Sequence, residues 1–253
     1  MSPDRVRALL ERVARGEASP DQAMSDLVKL PFEDIGFARL DHHRRLRTGF
    51  PEAVWGENKT AEQIAGIVER YAAAEELCLV TRVRPEVAEQ ALDLVARGRG
   101  AVYEPTPRLL VAGAPLPPRG RGPIAVVAAG TSDLPVAEEA SRTAELLGMT
   151  VDRITDVGVA GLHRILSVRE RMEACEVVVV VAGMEGALPA VVKGLVSRPV
   201  IGVPTSIGTG AALAGLTPML GMLTACAPGM TVVNVDNGFG AAYAAAVIAL
   251  DRS

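Results

Sequence analysis

The second half of the chain alternates short apolar runs, mostly of β-branched residues, with longer helical stretches. Most of these runs have no polar face, which predicts strands covered by helices on both sides. A parallel sheet with right-handed crossovers satisfies this pattern. The predicted strands are IAVVAA (124–129), TVDRI (150–154), EVVVVVA (176–182), PVIGV (199–203) and TVVNV (231–235), and the predicted helices span about 134–148, 159–173, 187–196, 211–225 and 239–250.

The first part of the chain has dense, periodic charges, which are typical of amphipathic helices. The helical segments are ALLERVARGE (8–17), PDQAMSDLVKL (20–30) and TAEQIAGIVERYAAAEE (60–76). Prolines and glycines between residues 115 and 122 form a linker. We therefore predict a smaller, mainly helical N-terminal domain over residues 1–118, followed over residues 119–253 by an α/β domain with a doubly wound, three-layer parallel sheet.

Composition excludes several classes of protein. The net charge of −4 and an aromatic content of 3% argue against nucleic-acid binding, which uses basic patches and stacking rings. The three cysteines form no CxxC pair, and the N-terminus has no apolar signal region, so we expect a reducing, cytoplasmic location. Residues 199–235 carry no charge, but prolines and glycines interrupt them. This segment therefore predicts a surface buried in an oligomer rather than a membrane span.

Ligands of such sheets bind beyond the carboxyl ends of the strands, which directs attention to the loops there. Glu185 and Asp236 are two of the four charges between residues 177 and 250, and both follow predicted strands. A charge in apolar surroundings is paired, exposed or functional. The alternatives are a solvated or helix-capping carboxylate for Glu185 and a turn residue for Asp236.

Other strand-end residues offer groups for binding a nucleotide. Thr131, Ser132 and Asp133 open a helix, so they suit phosphate and ribose, although an ordinary helix cap explains them as well. Asp156 lies in another such loop. His163 begins the next helix, where it suits either a phosphate contact or a structural role.

Cys226 lies in the run LTACAPG, just before the last predicted strand. From spacing alone a small buried residue explains it. Its proximity in sequence to the strand-end segment VDNG favours a chemical role. That segment contains Asp236 and Asn237, which are both candidate substrate-binding residues. A helix C-terminus does not lower the pKa of a thiol, so activation would have to come from a positively charged substrate or another partner.

The loops GTSD and AGMEGALP resemble two loops of PurE-type aminoimidazole ribonucleotide carboxylases. GTSD corresponds to the family's Gly-Ser-x-Ser-Asp loop after the first strand, one residue shorter, and AGMEGALP corresponds to its loop Ala-Gly-x-x-x-His-Leu-Pro. Here that histidine position is Ala187. The resemblance implies the PurE-like fold, while the missing proton-transfer residue argues against a purine-pathway carboxylase or mutase.

Five segments carry a second resemblance, which covers most of the chain. They are FARLDHHRRLRTGFPEAVWGENKTAEQI, ITDVGVAGLHRIL, VVAGMEGALPAVV, GVPTSIGTGAALAG and MLTACAPGMTVVNVDNGFGAA. Together they resemble the LarB family. The resemblance implies carboxylation of nicotinic acid adenine dinucleotide by carbon dioxide, in the biosynthesis of the nickel-pincer nucleotide. It also implies hydrolysis of the phosphoanhydride, giving pyridinium-3,5-biscarboxylic acid mononucleotide and AMP.

The resemblance assigns roles to the candidate residues. Cys226 would be the nucleophile and Glu185 the base, while Asp236 and Asn237 would orient the substrate or assist hydrolysis. The residues expected to hold the nucleotide are Thr131, Ser132, Asp133, Asp156 and His163. In the N-terminal domain Arg44, Arg47 and Lys59 are candidates for the adenylate, with a solvated basic face as the alternative.

We expect no tightly bound cofactor apart from Mg²⁺ during hydrolysis, for which no ligands are assigned. The expected assembly is a homo-oligomer, an octamer by analogy with PurE-type domains. A non-catalytic nucleotide-binding module on the same fold is the alternative outside enzyme chemistry, because fold alone does not fix function.

Overall fold

The computed structural model describes residues 3–28, 32–96 and 100–251. The chain divides into an N-terminal unit, Met1–Glu104 with Leu109–Ala114, and a C-terminal unit, Pro105–Arg108 with Pro115–Ser253.

The three predicted helical segments form the first, second and fourth helices of the N-terminal unit, and residues 29 and 30 of the second segment lie outside the described residues. A capping box between Thr60 and Gln63 fixes the start of the fourth helix. The elements in chain order are α1 (Pro3–Ala14), α2 (Pro20–Val28), β1 (Glu33–Asp34), β2 (Arg39–Leu40), α3 (Arg44–Thr48), β3 (Ala53–Trp55), α4 (Ala61–Ala73), β4 (Cys78–Thr81), α5 (Pro85–Leu94), β5 (Val102–Glu104) and β6 (Leu109–Ala112).

A four-stranded sheet in this unit was not predicted from the sequence. Its strand order is β3-β4-β6-β5, with β3 and β4 parallel and the other neighbours antiparallel. The strands are three or four residues long, and β4 and β6 are buried throughout. Runs this short do not show a period, so pattern alone does not separate them from loops.

The C-terminal unit has the predicted α/β architecture. Its five strands are all parallel, in the order β11-β10-β9-β7-β8, so the fold class is confirmed. Every residue of the central strand β9 is buried. The elements are β7 (Ile124–Ala128), α6 (Leu134–Leu146), β8 (Val151–Ile154), α7 (Leu162–Ser167), α8 (Arg169–Glu173), β9 (Val177–Ala182), α9 (Leu188–Leu195), β10 (Val200–Pro204), α10 (Leu216–Leu223), β11 (Met230–Val232) and α11 (Gly238–Ala249).

Two elements differ from their predicted bounds. The helix expected over 159–173 is divided into α7 and α8 at Val168, which leaves helical geometry at φ −108° and ψ 5°. Strand β11 ends at Val232 rather than at residue 235. The side chain of Asn234 accepts a hydrogen bond from the amide of Val235 at 2.9 Å, which competes with the strand ladder at this edge of the sheet.

The uncharged segment 199–235 forms β10, α10 and β11 with their connecting loops. Across the ranges that the structure describes, no helix is long and apolar enough to cross a membrane.

A partly buried ionic cluster surrounds His42 in the N-terminal unit. Its Nδ1 lies 3.2 Å from Oε2 of Glu76, and its Nε2 lies 3.3 Å from Oε2 of Glu33, which also pairs with Arg70. The ring of Tyr71 packs beside the imidazole, with 5.6 Å between centroids. The hydrogen bond to Glu76 raises the pKa of His42 despite partial burial of the ring. The folded unit therefore favours the imidazolium.

This cluster predicts that the N-terminal unit loses stability as pH rises above neutrality. Because the pKa of His42 is higher in the folded chain than its ordinary value of 6.5, the ion pairs contribute fully below that pH. Their contribution is lost as pH rises through the folded pKa. Urea denaturation between about pH 6 and pH 9 should show this loss as a fall in the free energy of unfolding. The His42→Gln variant should show a smaller change of this free energy with pH. His43→Gln is the matched control, and equal changes in wild type and His42→Gln would contradict the prediction.

Candidate active site

All five strands of the C-terminal sheet are parallel, so the loops that follow them leave from one edge. We call this the carboxyl edge. Most of the predicted site residues lie in these loops: Thr131, Ser132 and Asp133 after β7, Asp156 after β8, Glu185 after β9, and Asp236 and Asn237 after β11. His163 follows in the first turn of α7.

Asp133 holds three strand ends together. Its side chain is only 5% exposed. Oδ1 accepts a hydrogen bond from the hydroxyl of Thr205 at 2.7 Å, and Oδ2 accepts one from the amide of Gly130 at 3.1 Å. The amide of Gly183 also donates to this carboxylate. The loops after β7, β9 and β10 therefore converge on one carboxylate, which has a positioning role here.

The electrostatic setting of Asp133 is unfavourable for its negative charge. Burial raises the pKa of this carboxyl, and the nearby charge of Asp236 adds to the effect. The hydrogen bonds from Thr205, Gly130 and Gly183 oppose the rise. Binding of ribose by Asp133, as expected from the sequence, stays a prediction. Both oxygens of its carboxylate accept hydrogen bonds within the protein, which leaves fewer free acceptor positions for a ribose.

Asp236 and Asn237 fasten the last loop to its neighbours. The amide of Asp236 donates to the carbonyl of Pro204 at 2.8 Å, and its Oδ1 accepts from the amide of Ser206 at 2.8 Å. Asn237 caps α11, with its Oδ1 accepting from the amide of Gly240 at 2.8 Å. The turn and cap roles that the sequence allowed for these residues are therefore present.

Backbone strain occurs in several loops at this edge. Asp156 (φ 58°), Met184 (52°) and Asp236 (53°) have positive φ in the loops after β8, β9 and β11. Such conformations persist only where the surrounding structure enforces them, and they cluster at functional sites.

The loop with Glu185 is closely packed although its carboxylate is exposed. A Cβ atom added to Gly183 would lie 2.7 Å from the hydroxyl of Thr205, and one added to Gly186 would lie 2.7 Å from the carbonyl oxygen of Pro218. Only glycine fits at these two positions, so the loop backbone is fixed. Within the described residues, the Glu185 side chain has no hydrogen bond or ion pair.

Asp156 and His163 are both exposed at one side of the carboxyl edge. Arg164 pairs with Asp156, with 2.9 Å between Nη1 and Oδ2, and also donates to its carbonyl oxygen at 2.7 Å. The predicted residue Asp156 therefore holds a guanidinium, and this positive group can contact an anion at this end of the sheet.

Cys226 is exposed, so its interpretation as a buried core residue is wrong. It lies in the loop between the end of α10 and the start of β11, whose first residue Met230 pairs with Val200 at the amino end of β10. Strand β11 therefore separates Cys226 from Asp236, although they are close in sequence. Helix α10, which ends three residues before Cys226, packs on the Glu185 loop, with Gly221 against the carbonyl oxygen of Glu185.

The described ranges contain no group of three or more histidine, cysteine or acidic side chains arranged to hold a metal ion. The two carboxylates at the centre of the carboxyl edge, Asp133 and Asp236, both accept hydrogen bonds within the protein.

Sequence reasoning missed Thr205 as a site residue. It is fully buried and lies directly after β10, and its hydroxyl is the nearest partner of Asp133. The sequence does show a threonine at the end of an apolar strand. Its partner Asp133 is distant in sequence, however, so the sequence does not reveal the hydrogen bond between them.

Replacing Thr205 tests the role assigned to Asp133. Thr205→Val removes the hydroxyl but keeps the shape, which leaves a buried carboxylate oxygen without its donor. We expect a loss of about 1–3 kcal/mol of stability, measured by chemical denaturation and circular dichroism. Thr205→Ser keeps the hydroxyl and is the control. Equal stability of the valine and serine variants would show that the hydrogen bond does not support the site.

Comparison with known proteins matches each part of the chain to a described domain. Residues 32–114 match the LarB/PurE-like N-terminal domain, and residues 123–252 match AIR carboxylase. Crystal structures of Treponema denticola PurE and of a PurE2 variant from the same organism align with 22% and 24% sequence identity. Each has a TM-score of 0.41 and covers 49% of this chain and 78% of its own.

Two sequences from Methanocaldococcus jannaschii are also similar. N5-carboxyaminoimidazole ribonucleotide mutase is 32% identical over 127 residues, which cover 48% of this chain and 75% of that protein. An uncharacterized protein is 37% identical over 252 residues, covering 96% of both chains. This chain belongs to the LarB family, in which a LarB/PurE-like N-terminal domain precedes a PurE-like domain of the AIR carboxylase type.

Proposed function

We propose that this chain is a pyridinium carboxylase and hydrolase. It would add a carboxyl group from carbon dioxide to ring carbon 5 of nicotinic acid adenine dinucleotide and cleave the phosphoanhydride with water. The products would be pyridinium-3,5-biscarboxylic acid mononucleotide and AMP. The domain matches support a carboxylase-related function within the PurE superfamily. The observation that carries the finer proposal is the exposed thiol of Cys226 beside the helix that contacts the Glu185 loop.

Cys226 differs from the other two cysteines in its accessibility. Cys78 and Cys175 are buried, and burial raises their thiol pKa values to about 12 and about 11. A thiol must ionise and reach its target to act as a nucleophile. Cys226 is the exposed thiol of the three, so a cysteine mechanism in this chain uses it.

The chemistry explains why a thiol is needed. A pyridinium ring is electron-poor, so its carbon 5 does not attack carbon dioxide. Addition of the Cys226 thiolate to carbon 6 forms a C–S bond and neutralises the ring, which makes carbon 5 enamine-like and nucleophilic. Carbon 5 then bonds to carbon dioxide. Loss of the carbon 5 proton and expulsion of the thiolate restore the aromatic cation. This divides one difficult step into easier ones.

Glu185 is the proposed base for the carbon 5 proton. Its carboxylate is exposed on a loop whose backbone is fixed at Gly183 and Gly186. Gly221 touches the carbonyl oxygen of Glu185 and precedes Cys226 by five residues, so the base and the nucleophile are both adjacent to α10. A base that approaches the ring from this loop removes the proton that aromatisation must lose.

The nucleotide would lie along the carboxyl edge. The exposed residues Thr131 and Ser132 offer hydroxyls and amides before α6, and Arg164 offers a guanidinium beside Asp156. We propose that these groups, with His163 and Asn237, orient the ribose and phosphates, while Asp133 and Asp236 fix the loops. Both of those carboxylates accept hydrogen bonds within the protein, so they are not assigned as ligands of Mg²⁺.

We also propose that the chain works as a homo-oligomer in a reducing compartment such as the cytoplasm, and an octamer is the expected form by analogy. Large apolar side chains are exposed on α10 and on the turn before it, which favours their burial against other copies of the chain. These residues are Leu213, Leu216, Leu220 and Leu223.

The purine-pathway alternative is supported by the similarity to N5-carboxyaminoimidazole ribonucleotide mutase. It is disfavoured by Ala187, which opens α9 at the position where the resemblance implies a proton-transferring histidine. An alanine side chain has no group that accepts or donates a proton.

The reaction can be tested directly. Purified protein is incubated with nicotinic acid adenine dinucleotide, bicarbonate and Mg²⁺, and the products are identified by mass spectrometry. We expect AMP and a mononucleotide heavier than nicotinic acid mononucleotide by one carbon dioxide. Cys226→Ala should form neither product, because the ring cannot be activated.

Cys175→Ala is the matched control, since it removes a buried thiol outside the proposed site and should keep the activity. Absence of product from folded wild-type protein that binds the dinucleotide would contradict the carboxylase proposal and favour a binding module. Conversion of carboxyaminoimidazole ribonucleotide by the same preparation would instead support the purine-pathway alternative.

A further inference from the structure

We propose that the N-terminal unit carries a second binding site, for a nucleoside 5′-monophosphate, built on Trp55 and Arg82 at the carboxyl ends of β3 and β4. The proposal goes beyond the carboxylation reaction, because it requires neither Cys226 nor any residue of the C-terminal sheet.

The position of these residues in the fold is that of a ligand site. Strands β3 and β4 are parallel, and Trp55, the last residue of β3, is paired in register with Thr81, the last residue of β4. Arg82 follows directly. Each strand then leads through a loop into a helix, α4 or α5. Ligands of parallel strands bind beyond their carboxyl ends, where such loops meet.

Trp55 presents an aromatic surface to solvent. Its side chain is 51% exposed, whereas large aromatic groups gain most from burial. The guanidinium carbon of Arg82 lies 4.6 Å from the centroid of the Trp55 ring, and the Arg82 side chain is only 22% exposed. The pair combines an exposed aromatic ring with a positive charge over that ring, which suits stacking of a second planar ring on the indole.

The backbone around the pair is held in a strained arrangement. Arg82 has a φ of 55°, in the same left-handed region as Asp156, Met184 and Asp236 at the carboxyl edge of the other sheet. Gly56 donates a hydrogen bond from its amide to the carbonyl oxygen of Thr81 at 2.9 Å. A Cβ atom added to Gly56 would lie 2.8 Å from that oxygen and 2.8 Å from Val83. The close approach places Trp55 beside Arg82 and indicates a built feature rather than a free loop.

The charges around this pair define the ligand class. Nη1 of Arg82 lies 3.9 Å from a carboxylate oxygen of Glu57, and the amide of Lys59 donates to the carbonyl oxygen of Gly56 at 3.1 Å. The Arg82 guanidinium offers a positive charge to a phosphate, and Glu57 offers acceptors to ribose hydroxyls. A base on the indole and a phosphate on the guanidinium together describe a nucleoside monophosphate.

The test uses Trp55, which is the single tryptophan of the chain, so intrinsic fluorescence reports on this site alone. AMP titrated into the full-length protein should change the fluorescence in a saturable way. Adenosine and inorganic phosphate, each lacking half of the ligand, should bind more weakly. Arg82→Gln should weaken AMP binding about tenfold, and Arg82→Lys, which keeps the charge without the planar group, should bind with intermediate strength.

Arg15→Gln is the matched control, because it removes one positive charge from the turn after α1 in the same unit, where Arg15 pairs with Glu17. It should leave the titration unchanged. No saturable change with AMP, or equal affinity of wild type and Arg82→Gln, would overturn the proposal. The outcome is separate from that of the carboxylation assay, since the titration measures binding without turnover.

Discussion

The complete burial of strand β9 is the constraint on which the C-terminal unit depends. Its residues are valines and one alanine with no polar face, and they are covered on both sides of the sheet. A central strand of this kind has parallel neighbours and helical crossovers, which bring every following loop to one edge. The location of the candidate site is therefore a consequence of how the core is buried.

The loops at that edge are held together by a single carboxylate, that of Asp133. Asp133 joins the ends of β7, β9 and β10 through Thr205, Gly130 and Gly183. The arrangement is costly because burial disfavours the charge, so the hydrogen bonds must all be present to offset it. Because the loops are held in this way, the backbones of Glu185, Thr131 and Ser132 keep defined positions while their side chains are exposed to solvent.

Much of the C-terminal unit was predictable because its three central strands, β7, β9 and β10, are buried runs of five or six residues and its helices are periodic. The short strands β3 and β6 of the N-terminal unit were not, since three or four residues show no period. In the site, positions at strand ends were predictable from the alternation of strands and helices. The bond between Thr205 and Asp133 was not, because it joins residues from two separate crossovers. Sequence proximity likewise placed Cys226 beside Asp236, whereas β11 separates them.

The central claim is that Cys226 forms a covalent bond to the substrate and that Glu185 releases it by removing a proton. The most direct measurement is the mass of Glu185→Gln protein after incubation with nicotinic acid adenine dinucleotide and bicarbonate, followed by peptide mapping. The account predicts an adduct on the peptide that contains Cys226, because the ring cannot lose its proton and expel the thiolate. Unmodified protein, or an adduct on another peptide, would contradict it.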